Sequence, residues 1–321
     1  MKHTGDNKPF IVAVAGPTAV GKTEAAVAIC RALGGEAINM DAMQVYQGMR
    51  VGTARISRSE TEGVRHHMLA VVPPDEPWSV ARYAEAALPI IYNMIGRGVL
   101  PVLVGGTGLY LEAIRRPLRF ASVQADAKLR ASLDQLSDGA LRGRLIEVDP
   151  ITAKRLPTGD RRRAIRALEI AALTGKPMSE QADSAEERFN LCTVGLTMQR
   201  GALIERIQAR AEKMFTNGLP EEVSFLVKCG LPPNAQSMQA IGYKETVRML
   251  RGEITRVEAI EAVSIATRQY AKRQTTWFRA TPNITWFDRT GCTSMTKHYK
   301  DIIKSVKTRR LAIKAEGSAL L

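Results

Sequence analysis

Gly16-Pro17-Thr18-Ala19-Val20-Gly21-Lys22-Thr23, reading GPTAVGKT, follows directly on Phe10–Ala15, reading FIVAVA. The octet matches G-x-x-x-x-G-K-[ST], a phosphate-binding loop. Its glycines let the backbone curl so that successive N–H groups point inward at phosphate oxygens. Lys22 adds a point charge at the terminal phosphates, and the Thr23 hydroxyl is placed to ligate magnesium. The β-branched run ahead of the loop reads as a buried strand. Residues 23–33 behind it read as a helix that Gly34 and Gly35 stop. That helix turns its positive N-terminal end toward the same place. The motif thus has the strand–loop–helix setting it needs, and all eight residues are candidate contacts to a di- or triphosphate.

Outward from the loop the same grammar repeats. Residues 36–40 read as a second strand ending at Asp41, and Ser79 as the N-cap of a helix that continues to about residue 97 in spite of Pro89. Residues 99–104 (VLPVLV) read as a third buried strand that breaks at Gly105 and Gly106. This alternation predicts an α/β fold: a P-loop NTPase-like parallel sheet with helices on both faces. After about residue 116 the pattern turns mostly helical, with breaks at Gly139, Pro150, Pro157 and Gly175. A strand-like run at 191–196 (LCTVGL) then resumes the α/β pattern. The expected organisation is a catalytic core of residues 1–116 and 191–321 and an inserted, mostly helical domain at 117–190. Further helices are expected around 203–215, 220–228, Tyr243–Leu250 and 255–279, then a last strand at 283–287 and a basic tail.

Composition narrows the function. With 321 residues, 45% hydrophobic and 24% charged, the chain is neither disordered nor collagen-like. Lys and Arg number 46 against 32 Asp and Glu, a net charge of +14. Up to Arg115 the two signs nearly cancel, 11 against 10, whereas from Arg116 onward they stand at 35 against 22. Such a surplus is the footprint of a polyanionic partner, because neutralising phosphates releases counterions; the alternative is simply a soluble basic surface. An aromatic content of 5% argues against a protein that mainly stacks single-stranded bases. No apolar run reaches the roughly 18 residues of a membrane span. The start, MKHTGDNKPF, has no apolar leader segment. Cys30, Cys192, Cys229 and Cys292 lie far apart without C-x-x-C spacing, which speaks against a disulfide framework or zinc site and for a reducing cytoplasm.

The loop alone does not choose the chemistry. A P-loop kinase carries an acid at the end of a hydrophobic strand, but residues 99–104 run into Gly105-Gly106-Thr107 with no acid. Asp41 is the early acid at the C-terminal end of a strand, where such sheets bind ligands. It therefore reads as the site carboxylate, serving either as a general base or as an outer partner of magnesium, with a plain turn Asp as the other reading. His66 and His67 have no partner at metal spacing and read as structural. Tyr46 and Met43 read equally well as pocket lining or as core.

Taken together, the motifs resemble a known family. GPTAVGKT, DAMQVY at 41–46, Gly52-Thr53-Ala54, HHML at 66–69 and VGGTGLY at 104–110 occur in the order seen in tRNA dimethylallyltransferases, the IPP transferase family. RRAIRALE at 162–169, QAIGYK at 239–244 and ATRQYAKRQTTWFR at 266–279 continue the match, which covers roughly residues 9–287. The resemblance implies transfer of the dimethylallyl group of dimethylallyl diphosphate to the N6 amine of the adenosine at tRNA position 37, just 3′ of the anticodon. The loop would then grip a diphosphate leaving group, with Mg2+ as cofactor held by Thr23. It implies Asp41 as the base, Thr107 near the reacting groups, and Arg210 as the cation that neutralises diphosphate.

It further implies tRNA contacts at Asp41, Ala42, Met43 and Gln44, at Arg130, and at Arg162, Arg163, Ala164, Ile165 and Arg166. A second group comprises Gln239, Ala240, Ile241, Gly242, Tyr243 and Lys244. The third comprises Lys272, Arg273, Gln274, Thr275, Thr276, Trp277, Phe278 and Arg279. Within these, Trp277 and Phe278 read as core residues rather than stacking platforms. Ala42 stands where the family often has Ser, and the link at 115–124 lacks the proline-rich form common there. Only Cys292 lies where eukaryotic members append a zinc finger, so the chain is similar to the bacterial type. A cytoplasmic monomer acting on the anticodon stem-loop is the resulting expectation. The competing readings are a prenyltransferase acting on free adenine nucleotide, which has no use for the charge surplus, a P-loop kinase using ATP, and a non-catalytic RNA-binding protein.

Overall fold

The computed structural model describes residues 8–118, 123–181, 186–292 and 295–318. The first residues of the chain, part of the link at 115–124 and the end of the basic tail lie outside them. In chain order the elements are β1 (Phe10–Ala15), α1 (Lys22–Leu33), β2 (Gly35–Asn39), β3 (His66–His67), α2 (Val80–Gly96), β4 (Leu100–Val104) and α3 (Gly108–Arg115). There follow α4 (Ala127–Asp134), α5 (Asp138–Val148), α6 (Pro150–Arg155) and α7 (Arg161–Thr174). The chain continues through β5 (Asn190–Thr197), α8 (Arg200–Thr216), α9 (Leu219–Lys228), α10 (Tyr243–Leu250), α11 (Arg256–Ala280), β6 (Ile284–Asp288) and α12 (Met295–Ser318).

The six strands form one parallel sheet in the order β3-β2-β4-β1-β5-β6. Strand β1 is central, with Val12 beside Val102 of β4 and Cys192 of β5. Successive residues of a strand face opposite sides, and the cores divide accordingly. Ile11, Ala13, Ile38 and Leu103 pack with Tyr83, Tyr110, Phe215 and Phe278, whereas Val12, Val14, Ala37 and Val102 pack with Ile29, Ile302 and Val306. Helices therefore cover both faces, as the near-continuous apolar strands require.

Two elements go beyond the sequence reading. Within HHML, residues 66 and 67 pair with Ala37 and Ile38 as an edge strand too short to show in the sequence pattern. The basic tail is a helix, α12, because Ile302 and Val306 recur on one face at helical spacing and bury against α1 and β5.

The chain divides into two compact units, residues 1–114 with 188–321, and residues 115–187. The second unit is helical, with Leu133, Leu141, Leu145, Ala164, Ile165, Ala167 and Leu168 at its centre. Its helices start at side-chain caps: Asp126, Ser137, Asp149 and Asp160 each accept a backbone N–H of the first turn.

Candidate active site

At the C-terminal end of β1 the chain turns through Gly16 (φ 139°), Ala19 (φ 64°) and Gly21 (φ 91°) before entering α1. Gly21 is the N-cap and offers no side chain, so no N-cap side chain takes the first N–H groups of α1. Space also demands glycine there: a Cβ on Gly16 would lie 2.4 Å from the Leu196 carbonyl oxygen. The loop opens into a cavity of about 660 Å³ lined by Thr18, Ala19, Gly21, Lys22 and Thr23. Asn39, Asp41, Gln44 and Gly105 line it from neighbouring strand ends, and Arg206, Arg210 and Lys213 from α8. Glu24, Glu60, Glu62 and His66 complete the rim.

The charges are arranged for an anion. Lys22 folds back to donate from Nζ to the Pro17 carbonyl at 2.7 Å. Burial pushes its ammonium from 10.5 down to about 7, with Asp41 acting to raise it and Arg210 to lower it further. Arg210 is likewise lowered by burial and supported by the charge of Asp41. Arg206 donates from Nε to the Ala19 carbonyl at 2.8 Å, tying α8 to the loop. Desolvated cations beside a helix N-terminus are the kind of arrangement that suits an anion.

Asp41 is held by a web of local bonds. Its N–H donates to Asn39 Oδ1 at 3.1 Å, and its Oδ1 accepts the Met43 N–H at 2.9 Å. The next residue, Ala42, donates its N–H to the Thr107 hydroxyl at 3.2 Å, while the Thr107 N–H donates to the Met40 carbonyl at 3.1 Å. Thr107 thus stands behind Asp41 and fixes its turn. Gly105 is obligatory beside them, because a Cβ there would come within 2.1 Å of the Met40 carbonyl oxygen. Tyr270 of α11 lies nearby, and burial with the Asp41 charge raises its phenol to about 12.

Of the residues expected at the site, the structure brings the phosphate loop, Asp41, Gln44 and Arg210 to one cavity, with Thr107 one bond behind. The expected tRNA contacts divide. Gln239, Lys244, Lys272, Arg273, Thr276, Trp277 and Arg279 are exposed. Trp277 in particular is not the core residue expected: it is 41% exposed and lies over Gly108, where a Cβ would be 2.1 Å from its ring. Phe278 is fully buried, as read.

Other residues correct the expectation of surface contact. Ala240 and Tyr243 are buried in the large core and Ala164 and Ile165 in the helical unit, so their side chains build those cores. The Tyr243 ring packs on Gly52 and its hydroxyl donates to Glu222 at 2.6 Å. Gln274 is 4% exposed and spends its amide inside the protein. Its Oε1 accepts the Thr18 N–H at 2.8 Å and its Nε2 donates to the Gly106 carbonyl at 3.0 Å.

Several organising residues escaped the sequence reading. Glu222 accepts the backbone N–H groups of Arg50, Val51 and Gly52, shaping the segment whose Thr53 carbonyl receives the Gln44 amide. Arg289 supports the phosphate loop. In the helical unit, Glu169 is buried and accepts from Arg130, Arg166 and the Asp126 N–H. Burial would raise its carboxyl, but these donors hold it below the usual range. A second cavity, of about 710 Å³, is lined there by Arg130, Arg162, Arg163 and Arg166 together with Asp134 and Asp160. His67 is structural as expected, its Nε2 lying 2.6 Å from Glu36, while His66 also reaches the main cavity. Tyr46 is fully buried in core. No helix among the described residues is long and apolar enough to cross a membrane.

Comparison with known proteins agrees with this geometry. Residues 44–281 match the family described as IPP transferase, and residues 9–73 the one described as isopentenyl transferase. The tRNA dimethylallyltransferase of Heliobacterium modesticaldum is 45% identical over 281 residues, which cover 85% of this chain and 88% of that one. That of Halalkalibacterium halodurans is 44% identical over 290 residues, 88% of this chain and 92% of its own. Among solved structures, the full-length tRNA isopentenylpyrophosphate transferase of Bacillus halodurans is 40% identical with a TM-score of 0.73, covering 98% of this chain and 99% of that chain. A eukaryotic dimethylallyltransferase acting on tRNA is 25% identical with a TM-score of 0.82, over 95% of this chain and 80% of its own.

Proposed function

The chain belongs to the IPP transferase family and transfers a dimethylallyl group to tRNA, and we propose that dimethylallyl diphosphate is the donor and the N6 amine of the adenosine 3′ of the anticodon the acceptor. One observation carries this assignment: the phosphate loop, Arg210 and a single strand-end carboxylate, Asp41, share one cavity. A kinase would need an acid at the end of β4, where the chain has Gly105 and Gly106 instead.

The reaction follows from the charges. As the allylic C–O bond breaks, its electron pair goes to the diphosphate, and the N–H groups of the loop, Lys22 and Arg210 stabilise the growing negative charge. Donors preorganised where charge develops lower a barrier most. The adenine N6 lone pair forms the new C–N bond, and the amine proton passes to Asp41. A stacked base is out of reach, so the nucleotide is extruded from the anticodon loop into the cavity. The Thr23 hydroxyl is a hard oxygen donor lining this cavity, of the kind that suits magnesium. When bound with the diphosphate, the ion supplies further neutralisation of the leaving group. Exposed Lys272, Arg273 and Arg279, and Arg162 with its neighbours, contact the RNA backbone.

The test is incubation with magnesium, unmodified tRNA and radiolabelled dimethylallyl diphosphate, with AMP and ATP in parallel. Label in acid-precipitable RNA is the expected result. Label in AMP alone would move the chain to the free-nucleotide reaction, and ATP consumption without label would make it a kinase.

A further inference from the structure

Gln274 lies on α11 among residues that read as RNA contacts, yet its side chain is buried and fully used. Its Oε1 accepts the N–H of Thr18 in the phosphate loop, and its Nε2 donates a hydrogen bond to the carbonyl of Gly106. Gly106 is glycine for that reason, since a Cβ there would meet Nε2 at 1.9 Å. The residue after Gly106 is Thr107, whose hydroxyl holds the Ala42 N–H next to Asp41. One amide therefore joins the loop that grips the leaving group to the loop that carries the base, through Thr18, Gln274, Gly106, Thr107 and Ala42 in turn. On the reading of this cavity as a prenyl-transfer site, we infer that Gln274 is a positioning residue that sets the separation of the diphosphate cradle from Asp41. Only a planar group with an acceptor at one end and a donor at the other satisfies both neighbours: Thr18 offers a donor and Gly106 an acceptor. Misplacing reacting groups by an ångström costs about 100-fold in rate, so a side chain that fixes this distance acts on turnover rather than on tRNA affinity.

Steady-state kinetics of the full chain with tRNA and dimethylallyl diphosphate test this, using Gln274→Ala and Gln274→Glu beside the unaltered protein. Transfer by the unaltered protein is the control for the reaction itself. If it fails, the functional reading falls; if it succeeds, the variants judge Gln274 alone. Gln274→Ala is expected to lose about 10- to 100-fold in kcat with KM for tRNA unchanged. Gln274→Glu carries a carboxylate that still accepts from Thr18 but faces the Gly106 carbonyl with no proton to give. Its protonated form can give one. The activity of this variant, divided by that of the unaltered protein at each pH, is therefore expected to rise as pH falls. Taking the ratio cancels the titration that both proteins share, such as that of Lys22 and Tyr270 in the same neighbourhood. A rise in KM for tRNA alone would overturn the inference in favour of an RNA contact. A pH-independent ratio for Gln274→Glu, or unaltered kcat in both variants, would overturn it as well.

Discussion

Arg289 donates from Nη1 to the carbonyl of Gly21 at 2.9 Å, bonding directly to the phosphate loop. The same nitrogen also meets the Val20 carbonyl at 2.8 Å and Glu24 Oε2 at 3.0 Å. Gly21 is thus constrained twice, by its positive φ and because a Cβ would lie 1.4 Å from Arg289 Nη1. Strand β6 ends at Asp288, so the far edge of the sheet braces the loop at its centre.

Replacing that brace exposes its purpose. Arg289→Ala removes one guanidinium and strands loop carbonyls that it had satisfied, at a cost of about 2–3 kcal/mol. Urea denaturation is expected to show a lower midpoint with an unchanged slope, and calorimetry a weaker affinity for diphosphate. Loss of stability at unaltered diphosphate affinity would confine Arg289 to the fold.

Lys22 gives the site a pH dependence with a definite sign. In the folded chain its ammonium titrates at about 7 against 10.5 in its ordinary state, chiefly because of burial. Between those values the unfolded chain holds a proton that the folded chain has released, so this group makes stability rise with pH across that window. A bound diphosphate works the other way by favouring the charged ammonium. Above pH 7, binding is expected to take up a proton, and affinity to fall as pH increases. Titration calorimetry at about pH 8 in two buffers of different ionisation heat measures the uptake directly. Lys22→Met is expected to abolish it; equal uptake in both proteins would place the proton elsewhere.

Asp41→Asn separates chemistry from folding. The asparagine keeps an Oδ1 that can accept the Met43 N–H, so the turn persists. What is lost is the capacity to take the amine proton, worth about 10²–10⁴-fold in rate. Label transfer is expected to fall by that factor while tRNA binding, measured by filter retention, stays the same. Transfer at the unaltered rate would show that another group is the base.

The sequence made the sheet core readable because its strands are short apolar runs bounded by glycine and its first loop has a fixed spacing. Asp41 was legible as an acid at a strand end, and Lys22 and Thr23 from the loop motif. Thr107 and Arg210 came through family resemblance, since nothing local says that a Thr after two glycines reaches Ala42 or that a helical Arg turns into a cavity. Gln274 shows the limit of such reading. It sits between Arg273 and Thr275 on a basic helix, and only the tertiary approach of Thr18 and Gly106 turns it inward. Glu169, Glu222 and Arg289 were missed for the same reason: each bonds residues dozens to hundreds of positions away, and a lone charged residue carries no periodic signal. Strand β3 was missed because two residues cannot display a period.

The helical unit offers a last prediction, because its arginines do different jobs. Arg130 and Arg166 share the buried carboxylate of Glu169, and Arg161 pairs with Asp134 and Asp138. Their charge is largely compensated within the protein. Arg162 lines the same cavity, is exposed, and among the described residues no carboxylate pairs with it. It is the arginine best placed to release counterions from an RNA backbone. Arg162→Ala is expected to weaken tRNA binding at low salt and to reduce the slope of log affinity against log salt by about 1, with little change in stability. Glu169→Ala should do the reverse. It leaves two guanidiniums without their shared acid and removes the acceptor of the Asp126 N–H, at a cost of about 1–3 kcal/mol of stability. Filter binding over a salt series and denaturant melts on both variants distinguish the two roles. Were Arg162→Ala to lose stability but keep its salt slope, the RNA face of this unit would have to lie elsewhere.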